Sequence, residues 1–276
     1  GPSDVSDEII AESTNSNEHS ADVVATSGPH AFERGVATGT FLHGVLETAA
    51  QEGFAAAIQD RHGALNRLLA GPALRERWRE YSEDLHNWLQ QIIRTPMPLG
   101  EGEVPLAELP ASRCRPEMGF MLPIHQVDAH SIDTLVRRYI QPGEPRPPLH
   151  SEQLNGMLKG FIDLVFTYDD RYFLIDYKSD WLGPDDNAYD APRLRQKMLA
   201  ARQDVQYSFY LLALHRFLRL RLGDTYEPMR HLGGGGFFYL RGFGNATTRG
   251  MHIEPVVIEL VEHLDTLFRE DYANVG

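Results

Sequence analysis

Two acids and a lysine stand in segments that otherwise read as buried strands. In GFIDLVFTYDDRYFLIDYKSDWLG, residues 160–183, Asp163 interrupts the first apolar run, and Asp176 and Lys178 interrupt the second. Asp169-Asp170 between them has the composition of a two-residue hairpin turn. That turn sets a register in which Asp163 falls opposite Asp176, with Cβ atoms about 4.5–5.5 Å apart. Lys178 shares the face of Asp176, while Ile162, Leu164, Phe166, Phe173, Ile175 and Tyr177 form an apolar opposite face. Facing carboxylates destabilise a strand pair, and burying them costs more unless a proton or a cation compensates. Two acids with a nearby lysine make a cradle for a hard divalent cation such as Mg²⁺, which prefers oxygen ligands. A buried Asp–Lys ion pair beside a second, exposed acid explains the same pattern, and strand chemistry alone leaves the two readings level.

The elements around this hairpin must hold it. Residues 4–30 are polar and acidic without periodicity and predict a disordered linker, after Gly1-Pro2-Ser3, which reads as a tag remnant. Helical spacing runs from about residue 36 to 95, with a break near Gly71-Pro72. Residues 95–112 read as a loop, 117–124 (EMGFMLPI) as a strand and SIDTLVRRYI as a short helix. After the hairpin, a single long helix is expected from about Pro192 to Leu222, a strand at about Gly236–Leu240 and a final helix over 255–272. Helices before and after a central group of strands predict an α/β fold. A domain of residues 31–276 follows, with a helical front at 36–95 and a core at about 113–272. The glycine run 233–236 lacks the lysine of a phosphate loop and is expected to let the chain enter a strand tightly.

Longer strings carry a specific resemblance. LHGVLE (42–47), RPEMGFMLPI (115–124), GFIDLVF…YFLIDYKSDWLG, DVQYSFYLLALHRFLRLRL (204–222) and the later FYLRG together resemble the C-terminal nuclease domains of the RecB family. These lie within the PD-(D/E)xK restriction-endonuclease-like superfamily. The resemblance implies a restriction-endonuclease-like core: a central mixed sheet flanked by helices, with an N-terminal helical piece. It implies a Mg²⁺-dependent phosphodiester hydrolase of the exodeoxyribonuclease V type, acting on single-stranded and linear double-stranded DNA in double-strand-break repair. The resemblance further implies that Mn²⁺ substitutes and that Ca²⁺ binds without supporting catalysis. Carried over residue by residue, it makes His43, Asp163, Asp176 and the backbone carbonyl of Tyr177 the metal ligands, and Lys178 the catalytic lysine. Gln206 and Tyr210 match its QxxxY motif, and Glu117 matches an acidic residue on the preceding strand. By pattern alone His43 is an ordinary helix residue, Glu117 a solvated edge charge, Tyr210 a core residue and Gln206 its boundary neighbour one turn away. Asp180 and Trp181 read as structural, serving capping and packing.

Charge and cysteine content bound the alternatives. The chain carries a net charge of −13, six of the acids lying in residues 1–30, which hold no Lys or Arg. Taken alone, this argues against capture of nucleic acid by bulk electrostatics. Arg193, Arg195, Lys197, Arg202, Arg216, Arg219 and Arg221 on the expected long helix read as a solvated face, those nearest Gln206 being candidates for backbone phosphates. A single cysteine, Cys114, rules out the four-cysteine iron–sulfur cluster of AddB-like and CRISPR-associated branches. The chain has no phosphate-loop motor motif, so the resemblance implies a piece of a larger bacterial cytoplasmic protein. The expected partners are DNA, RecC-like and RecD-like subunits and the helicase part of its own chain. The second reading is a catalytically inactive fold of the same kind, docking DNA or protein; retention of every metal-site residue type opposes it.

Overall fold

A computed structural model describes residues 28–59, 67, 81–100, 102–149 and 153–273. The helices are α1 (Val36–Glu52), α2 (Phe54–Ile58), α3 (Ser82–Arg94), α4 (Ala129–Tyr139), α5 (Ala191–Ala200), α6 (Gln203–Leu222), α7 (Pro228–His231) and α8 (Ile258–Ala273). A small antiparallel ribbon, β1 (Pro96–Leu99) with β2 (Gly102–Pro105), stands where a loop is expected. The main sheet has the order β3 (Cys114–Asp128), β4 (Gln153–Tyr168), β5 (Arg171–Lys178), β6 (Leu232–Tyr239), β7 (Met251–Glu254). It is mixed: β5 and β6 run parallel and the other pairs antiparallel. The expected linker and the break near Gly71-Pro72 lie outside the described residues, except that Gly28–His30 form a 3-10 turn with His30 buried.

Local chemistry places the hairpin. Asp169 and Asp170 both have positive φ, 48° and 58°, the conformation a two-residue turn needs to match the twist of its strands. The pairing Tyr168↔Arg171 through Leu164↔Ile175 follows from it, in the expected register. That ladder stops one rung short of Asp163 and Asp176, so the two acids are not a paired rung. The oxygen Oδ2 of Asp163 instead accepts the N–H of Tyr177 at 2.6 Å, side chain replacing backbone as β4 parts from β5.

Two cores sandwich the sheet. On the front, α1 to α3 contribute Leu42, Leu46, Trp88 and Leu89 against Leu164, Phe166, Phe173, Ile175 and Tyr177. On the back, α4 to α6 and α8 bury Val136, Leu194, Tyr207, Leu211 and Leu264 against Met118, Phe120, Val165 and Leu174. Ile162 belongs to the back core, not to the front face with Leu164. The strands β3 and β4 exchange faces between these positions, where Glu117 takes a φ of 46° that few non-glycine residues adopt.

The expected single helix from Pro192 to Leu222 is two helices. Asp190 caps α5 by accepting the N–H of Arg193. Arg202 then adopts φ 53° before α6. Its guanidinium contacts Asp133 (2.6 Å) and Asp204 (3.1 Å) and donates to the carbonyl of Pro147, so tertiary ion pairs fix the break. The glycine run lies within β6, where a Cβ on Gly235 would fall 1.8 Å from the carbonyl oxygen of Leu174 and one on Gly236 2.0 Å from that of His252. Only glycine permits that strand spacing.

Candidate active site

The face exchange and the split between β4 and β5 open the sheet at one place, and the charged side chains gather there. The loop after β5 lets α1 approach closely, since a side chain on Gly39 would meet Ser179 Oγ at 2.9 Å. His43, one turn further along α1, brings Nδ1 to 3.4 Å from Asp163 Oδ1, and its ring stands edge-on to Tyr177. From the back, α6 presents Gln206 and Tyr210 on one face. The hydroxyl of Tyr210 donates to Asp176 Oδ1 (3.1 Å). The Gln206 amide N–H donates to that hydroxyl (2.7 Å) and to Asp176 Oδ1 (3.4 Å). Lys178 Nζ lies 2.5 Å from Asp176 Oδ2 and donates to Gln206 Oε1 at 3.1 Å.

Asp176 and Lys178 are both buried, at 4% and 8% exposure. Burial pushes the Asp176 carboxyl up; the Lys178 ammonium opposes this, and the charge of Asp163 adds to it. Burial alone would lower Lys178, yet Asp176 and Asp163 hold its ammonium above the ordinary range. Burial lowers His43, but Asp163, with Asp176 behind it, leaves the imidazole raised. Glu117 is raised by burial, by Asp163 and by Glu47. Neighbouring acids thus raise two carboxyls and two bases, which marks a local excess of negative charge.

The eight site residues singled out in the sequence all lie here, as two bonded groups, a link between them and one residue at the rim. His43 pairs with Asp163. Asp176, Lys178, Gln206 and Tyr210 form one hydrogen-bonded set. Tyr177 links the two through its backbone N–H, with its ring in the front core. Glu117 sits at the rim, sensed electrostatically by Asp163 and His43 rather than bonded to them. Among the described residues, no three His, Cys, Asp or Glu side chains converge closely enough to hold a metal ion as they stand. The donor set, carboxylate oxygens with one imidazole, still fits a hard divalent cation by type. Asp176 Oδ2 is buried without a hydrogen-bond partner and is met only by the lysine ammonium.

Glu47, not singled out in the sequence, follows His43 by one helical turn and adds its charge to the field at Glu117. Most of the basic residues near α6 are committed elsewhere: Arg193 to Asp190, Arg195 to Glu144, Lys197 to Asp180, Arg216 and Arg219 to Asp265. Asp180 is thus an ion-pair partner rather than a cap. Trp181 does pack, with its N–H on the carbonyl of His30 and the Arg34 guanidinium over its ring.

Comparison with known proteins agrees with this geometry. A sequence model of the PD-(D/E)XK nuclease superfamily matches residues 19–261. The chain is 40% identical over 218 residues to the RecBCD enzyme subunit RecB of Escherichia coli (strain K12), covering 79% of this chain and 18% of that protein. The subunit of the same name from Haemophilus influenzae is 37% identical over 190 residues, 68% of this chain and 15% of that protein. That from Mycobacterium tuberculosis is 28% identical over 247 residues, 81% and 22%. The chain therefore spans less than a quarter of the length of these relatives.

Proposed function

The chain belongs to the PD-(D/E)XK nuclease superfamily, and on that premise we propose that it is the metal-dependent DNA nuclease domain of a RecBCD-type helicase–nuclease. The observation that carries this reading is the convergence of Asp163, Asp176 and Lys178 at the split sheet, closed from the front by His43 and from the back by Gln206 and Tyr210. In this reading the reaction is hydrolysis of a phosphodiester bond: water adds to phosphorus and the 3′-oxygen leaves.

His43, Asp163, Asp176 and the carbonyl of Tyr177 are the residues that would hold Mg²⁺. When bound, such an ion polarises a phosphate oxygen and lowers the pKa of a water. The chain's own residues prepare the rest. Tyr210 and Gln206 fix Asp176 through Oδ1 and leave Oδ2 toward Lys178. Gln206 also holds the ammonium of Lys178, which keeps its proton and neutralises charge developing on the phosphate. The backbone N–H of Tyr177 orients Asp163.

The same proposal extends to the whole assembly: RecC-like and RecD-like partners, an attached helicase that feeds DNA, and a bacterial cytoplasmic location. Among the described residues no helix is long and apolar enough to cross a membrane. With a net charge of −13, weak intrinsic affinity for free DNA suits a nuclease to which DNA is delivered. Incubation with plasmid and single-stranded DNA in Mg²⁺ or Mn²⁺, against an EDTA control, tests the activity. Cleavage only with metal is expected. Metal binding with no cleavage would move the chain to the docking-module reading.

A further inference from the structure

Beyond the split, β3 and β4 continue as a ribbon with one covered face. Met118, Phe120, Leu122, Leu158 and Ile162 face the back core. On the other face Met121 and Phe161 are each 62% exposed, with Lys159 opposite Met121. Phe161 is paired with Gly119, and a methyl group on Gly119 would meet its ring at 3.2 Å. The ring therefore sits beside Gly119 across the strand pair while most of the side chain stays open to solvent. A large apolar side chain exposed on a strand, yet pinned in orientation, is pre-organised to receive a flat partner.

We propose that Phe161 is a positioning residue that stacks an unpaired nucleobase of the strand being cut, with Lys159 meeting its backbone. The inference rests on the nuclease reading above. Phe161 precedes Asp163 by two residues on β4, about 6.6 Å along the strand. The exposed face is the side of the sheet that carries α1 and His43, so a base on the ring leaves its phosphate next to the split. Bases paired within a duplex offer no free face, so the platform selects single strands. Phe161, Met121 and Met157 fall well short of the roughly 800 Å² per partner that a stable protein interface buries. Lys159 supplies a cation in an acidic chain, and among the described residues no carboxylate pairs with it.

The test uses the 276-residue chain with Phe161→Ala, Phe161→Leu and Phe161→Tyr, each checked for an unchanged melting temperature. Binding of a fluorescent oligo(dT) and of a hairpin duplex is read by anisotropy in EDTA, so that cleavage plays no part. Phe161→Leu keeps an apolar cover on Gly119 but removes the π-face. The proposal expects Phe161→Ala and Phe161→Leu to weaken single-strand binding about 5- to 150-fold, with duplex binding unchanged and Phe161→Tyr close to wild type. In Mg²⁺ the same variants raise KM and keep kcat. Wild-type affinity in Phe161→Leu, an equal loss for duplex, or no oligonucleotide binding by the unmutated chain each overturns it. Absence of cleavage by a wild-type chain that binds oligo(dT) would instead overturn the nuclease reading, leaving the stacking result to stand by itself.

Discussion

Two buried charge clusters hang from the first two turns of α6, and they are built to opposite specifications. One gathers Arg137, Arg146 and Arg202 around Asp133 and Asp204. Arg146 and Asp204 are fully buried and 2.7 Å apart, and Arg146 also donates to the carbonyls of Ile140 and Gln141. Cations outnumber acids there. Burial works to raise Asp133, but Arg137 and Arg202 overcome it and hold the carboxyl below the ordinary range. The other cluster, at Asp163, Asp176, Glu117 and Lys178, has acids in excess, and its Asp176 and Glu117 carboxyls are raised. The first cluster is electrostatically complete and pins the α5–α6 break; the second is short of positive charge at the place where the sheet opens. That shortage is what a site awaiting a divalent cation requires.

Breaking each cluster should therefore cost different things. The largest effect is expected on catalysis: Asp176→Ala or Lys178→Ala should lower cleavage rates about 10²–10³-fold or more while the circular dichroism spectrum stays native. Normal Mg²⁺-dependent nicking by either variant would remove the site assignment. Next comes stability: Arg146→Ala leaves buried Asp204 with Arg202 as its remaining guanidinium partner and should destabilise the fold by up to about 3–5 kcal/mol in urea unfolding, with kcat per folded molecule retained. A loss of activity with unchanged stability would erase the contrast.

The pH dependence sharpens it further. Because the Asp133 carboxyl is depressed in the folded chain, its contribution is present above its unfolded value, about 3.9, and is lost as pH falls through the folded one. Melting temperature should therefore drop more steeply with acidification below about pH 4 in wild type than in Asp133→Asn. The smallest effect belongs to Glu117, whose raised carboxyl costs stability once pH exceeds its folded value. Glu117→Gln should give a slightly higher melting temperature at pH 7 and the same one at pH 4. A fall at pH 7 would show Glu117 to be a favourable charge instead.

Much of this was legible in the chain, for local reasons. Asp169-Asp170 dictated a turn and thereby the register, because two-residue turns leave little freedom. What could not be read was set by distant contacts. The face exchange at Glu117 is a backbone event without a composition signal. The break at Arg202 hides in a continuous helical pattern because Asp133, some 70 residues earlier, fixes it. The ribbon β1–β2 is Pro-rich, and β7 has only four residues, too few for periodicity. His43 carried no signal of its own: a histidine on an amphipathic helix is ordinary until a fold brings it to Asp163. The resemblance of whole strings, not residue chemistry, singled it out.

We expect the acid-rich cluster, and not the arginine-rich one, to take a divalent cation. Titrating Mg²⁺ into the chain while following its melting temperature tests this directly, since a ligand that binds only the folded state raises it. A metal-dependent rise is expected in wild type and in Asp133→Asn, and none in an Asp163→Ala, Asp176→Ala double variant. A rise that survives loss of both carboxylates, or no rise in wild type up to tens of millimolar Mg²⁺, would contradict it.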